Sequence, residues 1–239
     1  MKGTILIKHR QGDESRGSGI DIVRLWHEGS EAEWRAALEK YYENENVFEG
    51  LEDHMNHVKP EMVRNMSADE FYEFIHDKYF DWKFTDGRIC SNGQKRLEKT
   101  YDNASGKKEL FEIKEDMFKI HDFAPENTRL LFNVVRGVCG GIVGLGIAGA
   151  SGLLAIIWPG EYGTVDQFVV EALLEIEDLP EQEQIKAIKY RSNLKLKEGI
   201  LLEDILRRKA KELNEKFGTD EWTPKKVDMI LWTYRNENK

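Results

Sequence analysis

A few groups of residues in this chain have types and spacing that could do chemistry. The first is Gly144-Leu145-Gly146 with Ile147-Ala148-Gly149 behind it, inside a run from Gly137 to Trp158 of 22 residues without a charge. Glycine suits a tight turn with positive φ and lets a partner approach the backbone closely. If a helix begins just after Gly146, its first N–H groups have no partner and point at solvent, where an anion such as a phosphate can sit. A second group is basic: Arg88, Lys95 and Arg96 follow the turn signal Asp86-Gly87, in a loop and helix start that could meet phosphates. The third is aromatic, from Phe71 and Phe74 through Tyr79 and Phe80 to Trp82 and Phe84. Its functional reading is stacking on an extruded base. The same spacing suits a buried helix face, which is the simpler reading. His54 and His57 stand one turn apart beside Glu52 and Asp53, half of a metal site. No third ligand can be named, so a solvated helix face explains them more simply.

The elements that must position these groups follow from the punctuation. The uncharged run, with its seven glycines, has two readings. Its length fits a transmembrane helix. Its glycines, at roughly 1 kcal/mol each in a helix exposed to water, fit better with two short helices joined by a Gly-Leu-Gly hairpin. The first helix would run from about Thr128 to Val143 and the second from Ala148 to Trp158, with Pro159-Gly160 ending it. Asp166 stands directly before the helical pattern Phe168 to Ile176, where an aspartate serves as an N-cap.

Ser30 with Glu33 and Ser67 with Glu70 are capping-box pairs that open two further helices. A shorter helix is expected from Phe48 to Val58, and Ser91-Asn92-Gly93 reads as a turn before a helix from Gln94 to Tyr101. Leu179-Pro180-Glu181 would start a helix through about Tyr190. Glu198 to Phe217 carries one apolar stripe and stops at Gly218, and Thr223-Pro224 opens a last helix. Lys2 to Lys8 could be a short strand and His9 to Ser18 a polar loop. The fold class expected is all-α.

At the hairpin the residues resemble a family. Gly144-Leu145-Gly146-Ile147-Ala148-Gly149-Ala150 resembles the hairpin of the helix-hairpin-helix motif, and Thr164-Val165-Asp166-Gln167-Phe168-Val169 resembles the segment that follows it in the helix-hairpin-helix base-excision DNA glycosylases. The resemblance covers about 128–176. It implies an orthogonal helical architecture, with an N-terminal helical segment over 1–62 and a glycosylase-like domain over 63–239. It also implies that Asp166 is the catalytic carboxylate, facing the deoxyribose of a flipped nucleotide and stabilising an oxocarbenium-like transition state. The amides of Gly144, Leu145, Gly146, Ile147, Ala148 and Gly149 would hold a phosphate of double-stranded DNA, with a monovalent cation on the hairpin carbonyls as an option. Trp82, Phe84 and Phe168 become the candidate base pocket, and Arg88, Lys95 and Arg96 the candidate contacts to the DNA backbone. The family's lyase members carry a Lys where this chain has Ala148, so the resemblance points to a monofunctional glycosylase. Phe168 stands where the family has His, and the iron–sulfur cysteines of some members are missing; no metal and no other cofactor is expected. The alternative is a helix-hairpin-helix protein that grips DNA without chemistry, in a repair or phage-defence setting.

Composition bounds these readings. The chain has 239 residues, 40% of them hydrophobic and 33% charged, which supports a core under a polar surface. Cys90 and Cys139 are far apart and read as free thiols in a reducing cytoplasm, and the N-terminus lacks the apolar stretch of a signal peptide. The net charge of −9 opposes general nucleic-acid binding. From Lys186 to Lys211, however, nine basic residues meet three acidic ones, a local +6 against −15 elsewhere. Such a run steers an anion or simply coats a solvated helix.

Overall fold

A computed structural model describes residues 21–43, 50–84, 86–136 and 140–237. Among them are fourteen α-helices, one π-helical turn and no strand: α1 (Ile22–Glu28), α2 (Glu31–Glu43), α3 (Leu51–Asn56), α4 (Pro60–Arg64), α5 (Ala68–Glu73), the π turn (Phe74–Tyr79), α6 (Phe80–Lys83), α7 (Gly87–Tyr101), α8 (Ala104–Phe123), α9 (Thr128–Val135), α10 (Ile147–Ile157), α11 (Gln167–Leu174), α12 (Gln182–Lys186), α13 (Leu196–Phe217) and α14 (Pro224–Glu237). The protein is all-α over this range. The expected strand at 2–8 and loop at 9–18 lie outside the described residues.

The helix ends follow the local chemistry. Ser67 and Glu70 form a complete capping box on α5, and Glu33 caps back to the Ser30 amide at 2.8 Å. Gly218 closes α13 with φ +68. These contacts satisfy terminal amides and carbonyls that a helix leaves without partners.

The uncharged run is two pieces. Its helical part, α10, has 11 residues, and among the described residues no helix is long and apolar enough to cross a membrane. Nearly all of α10 is buried, as expected for a helix that is apolar on every face. Neighbouring helices approach it closely where glycine removes a side chain. A Cβ on Gly199 of α13 would lie 2.4 Å from Ile147, and one on Gly152 would lie 2.8 Å from the Tyr79 hydroxyl. Around this centre α11 and α13 pack on α14, α2 packs on α14, and α5 and α9 pack on α8. One apolar cluster includes residues on both sides of position 62, from Trp34 to Leu231.

Several expected boundaries are corrected. The helix before the hairpin stops at Val135 rather than near Val143. The chain then turns back through a bridge between Arg136 and Ile142, and Gly141 presses so tightly on the Arg136 carbonyl that a Cβ there would lie 2.2 Å away. The Tyr101 hydroxyl donates to the Gly141 carbonyl at 2.9 Å, which holds this loop on α7. Ser91-Asn92-Gly93 is no turn but the middle of α7, which Asp86 starts by accepting from the Arg88 amide at 2.8 Å. Gly93 is there for packing: its Cβ would strike the Phe80 ring at 2.6 Å. The helix expected from Phe48 to Val58 is the shorter α3, and α12 ends at Lys186 rather than at about Tyr190.

Candidate functional site

The site begins at the turn before α10. Gly144 has φ +94, a region that L side chains rarely adopt, and its open side faces the Phe80 ring and the Cα of Gly93. Gly146 is exposed and extended, and its carbonyl accepts the first helical bond from the Ala150 amide at 2.8 Å. The amides of Ile147, Ala148 and Gly149 therefore precede that bond and have no intrahelical acceptor. The Leu145 amide is already engaged, donating to the Ile142 carbonyl at 3.2 Å. Gly146 is exposed and Ala148 half-buried, while Leu145, Ile147 and Gly149 are buried.

Asp166 is brought beside this helix by a loop whose amides are tied down one after another. Tyr162 to Val165 is irregular and buried, so each N–H needs an acceptor. The Gly163 amide donates to Glu203 Oε2 at 3.1 Å, Thr164 to Asp228 Oδ2 at 2.9 Å, and Val165 to Ser151 Oγ at 3.0 Å. Three different helices, α13, α14 and α10, thus supply side-chain oxygens to consecutive residues. Gly163 allows the close approach, because a Cβ there would lie 2.6 Å from Leu206 and 2.9 Å from the Pro224 carbonyl.

At the end of the loop, Asp166 is the N-cap of α11. Its Oδ1 accepts from the Phe168 and Val169 amides at 2.9 and 3.4 Å. Its Oδ2 faces the Lys83 ammonium at 3.4 Å. Both side chains reach solvent only in part, 17% for Asp166 and 11% for Lys83. The Lys83 stem reaches there across α10 at Gly152, where a Cβ would lie 3.2 Å from its Cδ. Tyr79 donates from its hydroxyl to the Gly149 carbonyl just above. The π turn matters here, because its wider winding rotates every residue after it, Lys83 included, relative to α5.

The surroundings of the Asp166–Lys83 pair are buried and charged. Asp228 is pushed up to about 7, first by burial and then by the Asp166 carboxylate. Burial likewise pushes Glu203 up to about 8. Lys225, one turn before Asp228 on α14, is 6% exposed, and burial holds its ammonium below the usual lysine range. Its Nζ lies 5.1 Å from the centre of the Trp82 ring. Trp82 donates from its indole N–H to Glu52 Oε2, and Glu52 Oε1 accepts from the Tyr41 hydroxyl at 3.1 Å. Displaced ionisation in several neighbouring groups marks a cluster with a task beyond packing.

The other predicted residues fall as follows. Trp82 is half-buried beside Lys83 and Lys225, and Phe168 is half-buried directly after the cap. Phe84 meets Phe80 edge-on at 5.2 Å, and Phe71, Phe74, Tyr79 and Phe80 are core residues. Arg88, Lys95 and Arg96 are exposed on α7, the helix whose Gly93 lies against the hairpin. His57 meets Asp53 at 3.4 Å, and no group of three metal-ligating side chains occurs among the described residues. A groove of about 730 Å³ lined by Arg207, Asn214, Trp222 and Pro224 lies elsewhere and includes none of the predicted residues.

Sequence reasoning missed Lys83, Ser151, Glu203, Lys225 and Asp228, all contributed by other segments. One signal was available: Lys225 and Lys226 stand in the first turn of a helix, where a positive charge opposes the helix dipole. What the geometry defines is an all-α protein with a glycine turn, a helix N-terminus and a fixed carboxylate-ammonium pair packed together. No protein-family model matches this chain, and comparisons with curated proteins and with solved structures find no match.

Proposed function

We propose that this protein is a DNA glycosylase that binds duplex DNA through the Gly144–Gly149 turn and cleaves the N-glycosidic bond of a flipped base, with Asp166 as the catalytic carboxylate. The observation that carries the reading is the pairing of a glycine turn, which opens a helix with unengaged amides, with an aspartate held rigidly on the next segment. Ser151, in the second turn of α10, bonds the residue just before Asp166 at 3.0 Å, so the two features are linked through one side chain.

In this reading a DNA phosphate sits on the Ile147, Ala148 and Gly149 amides. Asp166 stabilises positive charge on the sugar as the base departs and orients water to the anomeric carbon. Its cap bonds use Oδ1, which leaves Oδ2 on the Lys83 side for the substrate. Trp82 and Phe168 flank the extruded base. Arg88, Lys95 and Arg96 on α7 meet neighbouring phosphates, which gives binding a steep salt dependence.

The test is single-turnover base release from duplexes that each carry one damaged base. The wild type should release at least one base, and Asp166→Asn should bind the same duplex and release none. Equal release by the variant would remove the assignment. A second reading, DNA binding without chemistry, is favoured by the fact that capping and the Lys83 ion pair account for Asp166 on their own. It predicts salt-sensitive binding and no abasic product from any duplex.

A further inference from the structure

Buried lysines normally hand their charge to an acceptor, because an unpaired ammonium out of water is costly. Two of the buried lysines do so. Lys114 donates to the Arg64 and Met66 carbonyls at 2.7 Å each, and Lys209 donates to the Trp26 carbonyl and to Glu212. Lys225 is as inaccessible, at 6%, yet it has no hydrogen-bond or ion-pair partner among the described residues. What it has instead is the Trp82 ring at 5.1 Å, Asp228 one turn along α14, and Lys83, whose ammonium opposes its own. Desolvation and a neighbouring cation are the two arrangements that leave a lysine as a free amine near neutral pH. Nothing in the packing needs an amine here; methionine would cover Trp82 as well.

We propose that Lys225 is a reactive amine that condenses with an aldehyde, and that its aldehyde is the ring-opened deoxyribose of an abasic site. The second half rests on the glycosylase reading; the first does not. The amine lone pair forms a C–N bond to the aldehyde carbon while the carbonyl π pair moves to oxygen. That oxygen leaves as water with both amine hydrogens, and the product is an imine. Protonation of the imine nitrogen by Asp228, pushed up to about 7, gives an iminium, and water returns the free amine. No oxidant or reductant takes part. Ala148 denies the chain an amine at the hairpin, and α14 supplies one from the opposite side of Asp166.

Two probes test this with the full chain. Incubation with an abasic duplex and cyanoborohydride at pH 7 should give a covalent protein–DNA adduct whose modified peptide contains Lys225. Lys225→Arg, or Lys225→Met where arginine prevents folding, should cut the adduct more than about tenfold, the effect of removing an activated nucleophile. Lys119→Arg, an exposed control on α8, should leave it unchanged. An adduct on another lysine, or none from a protein that releases bases, overturns the assignment. If the protein neither binds DNA nor releases bases, the glycosylase reading has failed, and the amine is judged by glycolaldehyde with cyanoborohydride alone. Modification of Lys225 ahead of the surface lysines supports it. Modification at the same rate or more slowly overturns it.

Discussion

Glu203 offers the sharpest test of how the Asp166 loop is held. Its side chain is wholly buried, its Oε2 accepts from the Gly163 amide at 3.1 Å, and its Oε1 has no hydrogen-bond partner among the described residues. Burial raises its pKa from 4.5 to about 8, with the Arg207 charge and the Gly163 amide opposing. A carboxyl whose pKa is higher folded than unfolded favours the fold fully below the unfolded value and loses that advantage as pH rises toward the folded value. The window is therefore about pH 4.5 to 8. At roughly 1.4 kcal/mol per unit, ionising Glu203 costs the fold on the order of 5 kcal/mol above that window, a large share of ordinary domain stability. Glu203→Gln keeps an acceptor for the Gly163 amide and cannot ionise. Urea unfolding from pH 5 to 9 should show wild-type stability falling with pH. The variant should fall less steeply and be the more stable protein at pH 9. A remaining slope of the same sign is expected from Asp228, which is pushed up to about 7. Parallel curves for wild type and variant would refute the burial argument, as would a wild type whose stability rises over the window.

Two further substitutions probe the same framework. Gly152→Ala places a methyl 2.8 Å from the Tyr79 hydroxyl and 3.2 Å from Lys83 Cδ. It should cost about 1–3 kcal/mol by thermal or urea unfolding and lower base release by moving Lys83 away from Asp166. Ser151→Ala leaves the buried Val165 amide without its acceptor. It should cost about 1–3 kcal/mol and speed hydrogen exchange at Val165, whereas unchanged exchange would mean that Ser151 does not hold the loop.

The parts of the site that were legible in the sequence are those fixed by neighbouring residues. Asp166 before an apolar helix is a cap whatever surrounds it, and the structure has both cap bonds. Gly144 and Gly146 announced a turn because backbone sterics are local, and Gly144 has the positive φ expected of it. Glycines that serve packing misled the reading. Gly93 looked like a turn residue but sits in mid-helix to admit Phe80, and Gly152 thins α10 so that Tyr79 and Lys83 can cross it. The Asp166–Lys83 pair joins residues 83 positions apart, and the acceptors for Gly163 and Thr164 come from 40 and 64 positions away. No periodicity encodes such meetings. They depend on which helix faces the close-packed centre turns toward one another, and the π turn adds a rotation that helical spacing cannot anticipate.

The most direct measurement is a crystal structure of Asp166→Asn bound to a duplex containing a stable abasic analogue. The account predicts a phosphate on the amides of Ile147 to Gly149, with the extruded sugar against residue 166 between Lys83 and Trp82. DNA seated on another face, or a sugar left in the helix stack with nothing at residue 166, would contradict it.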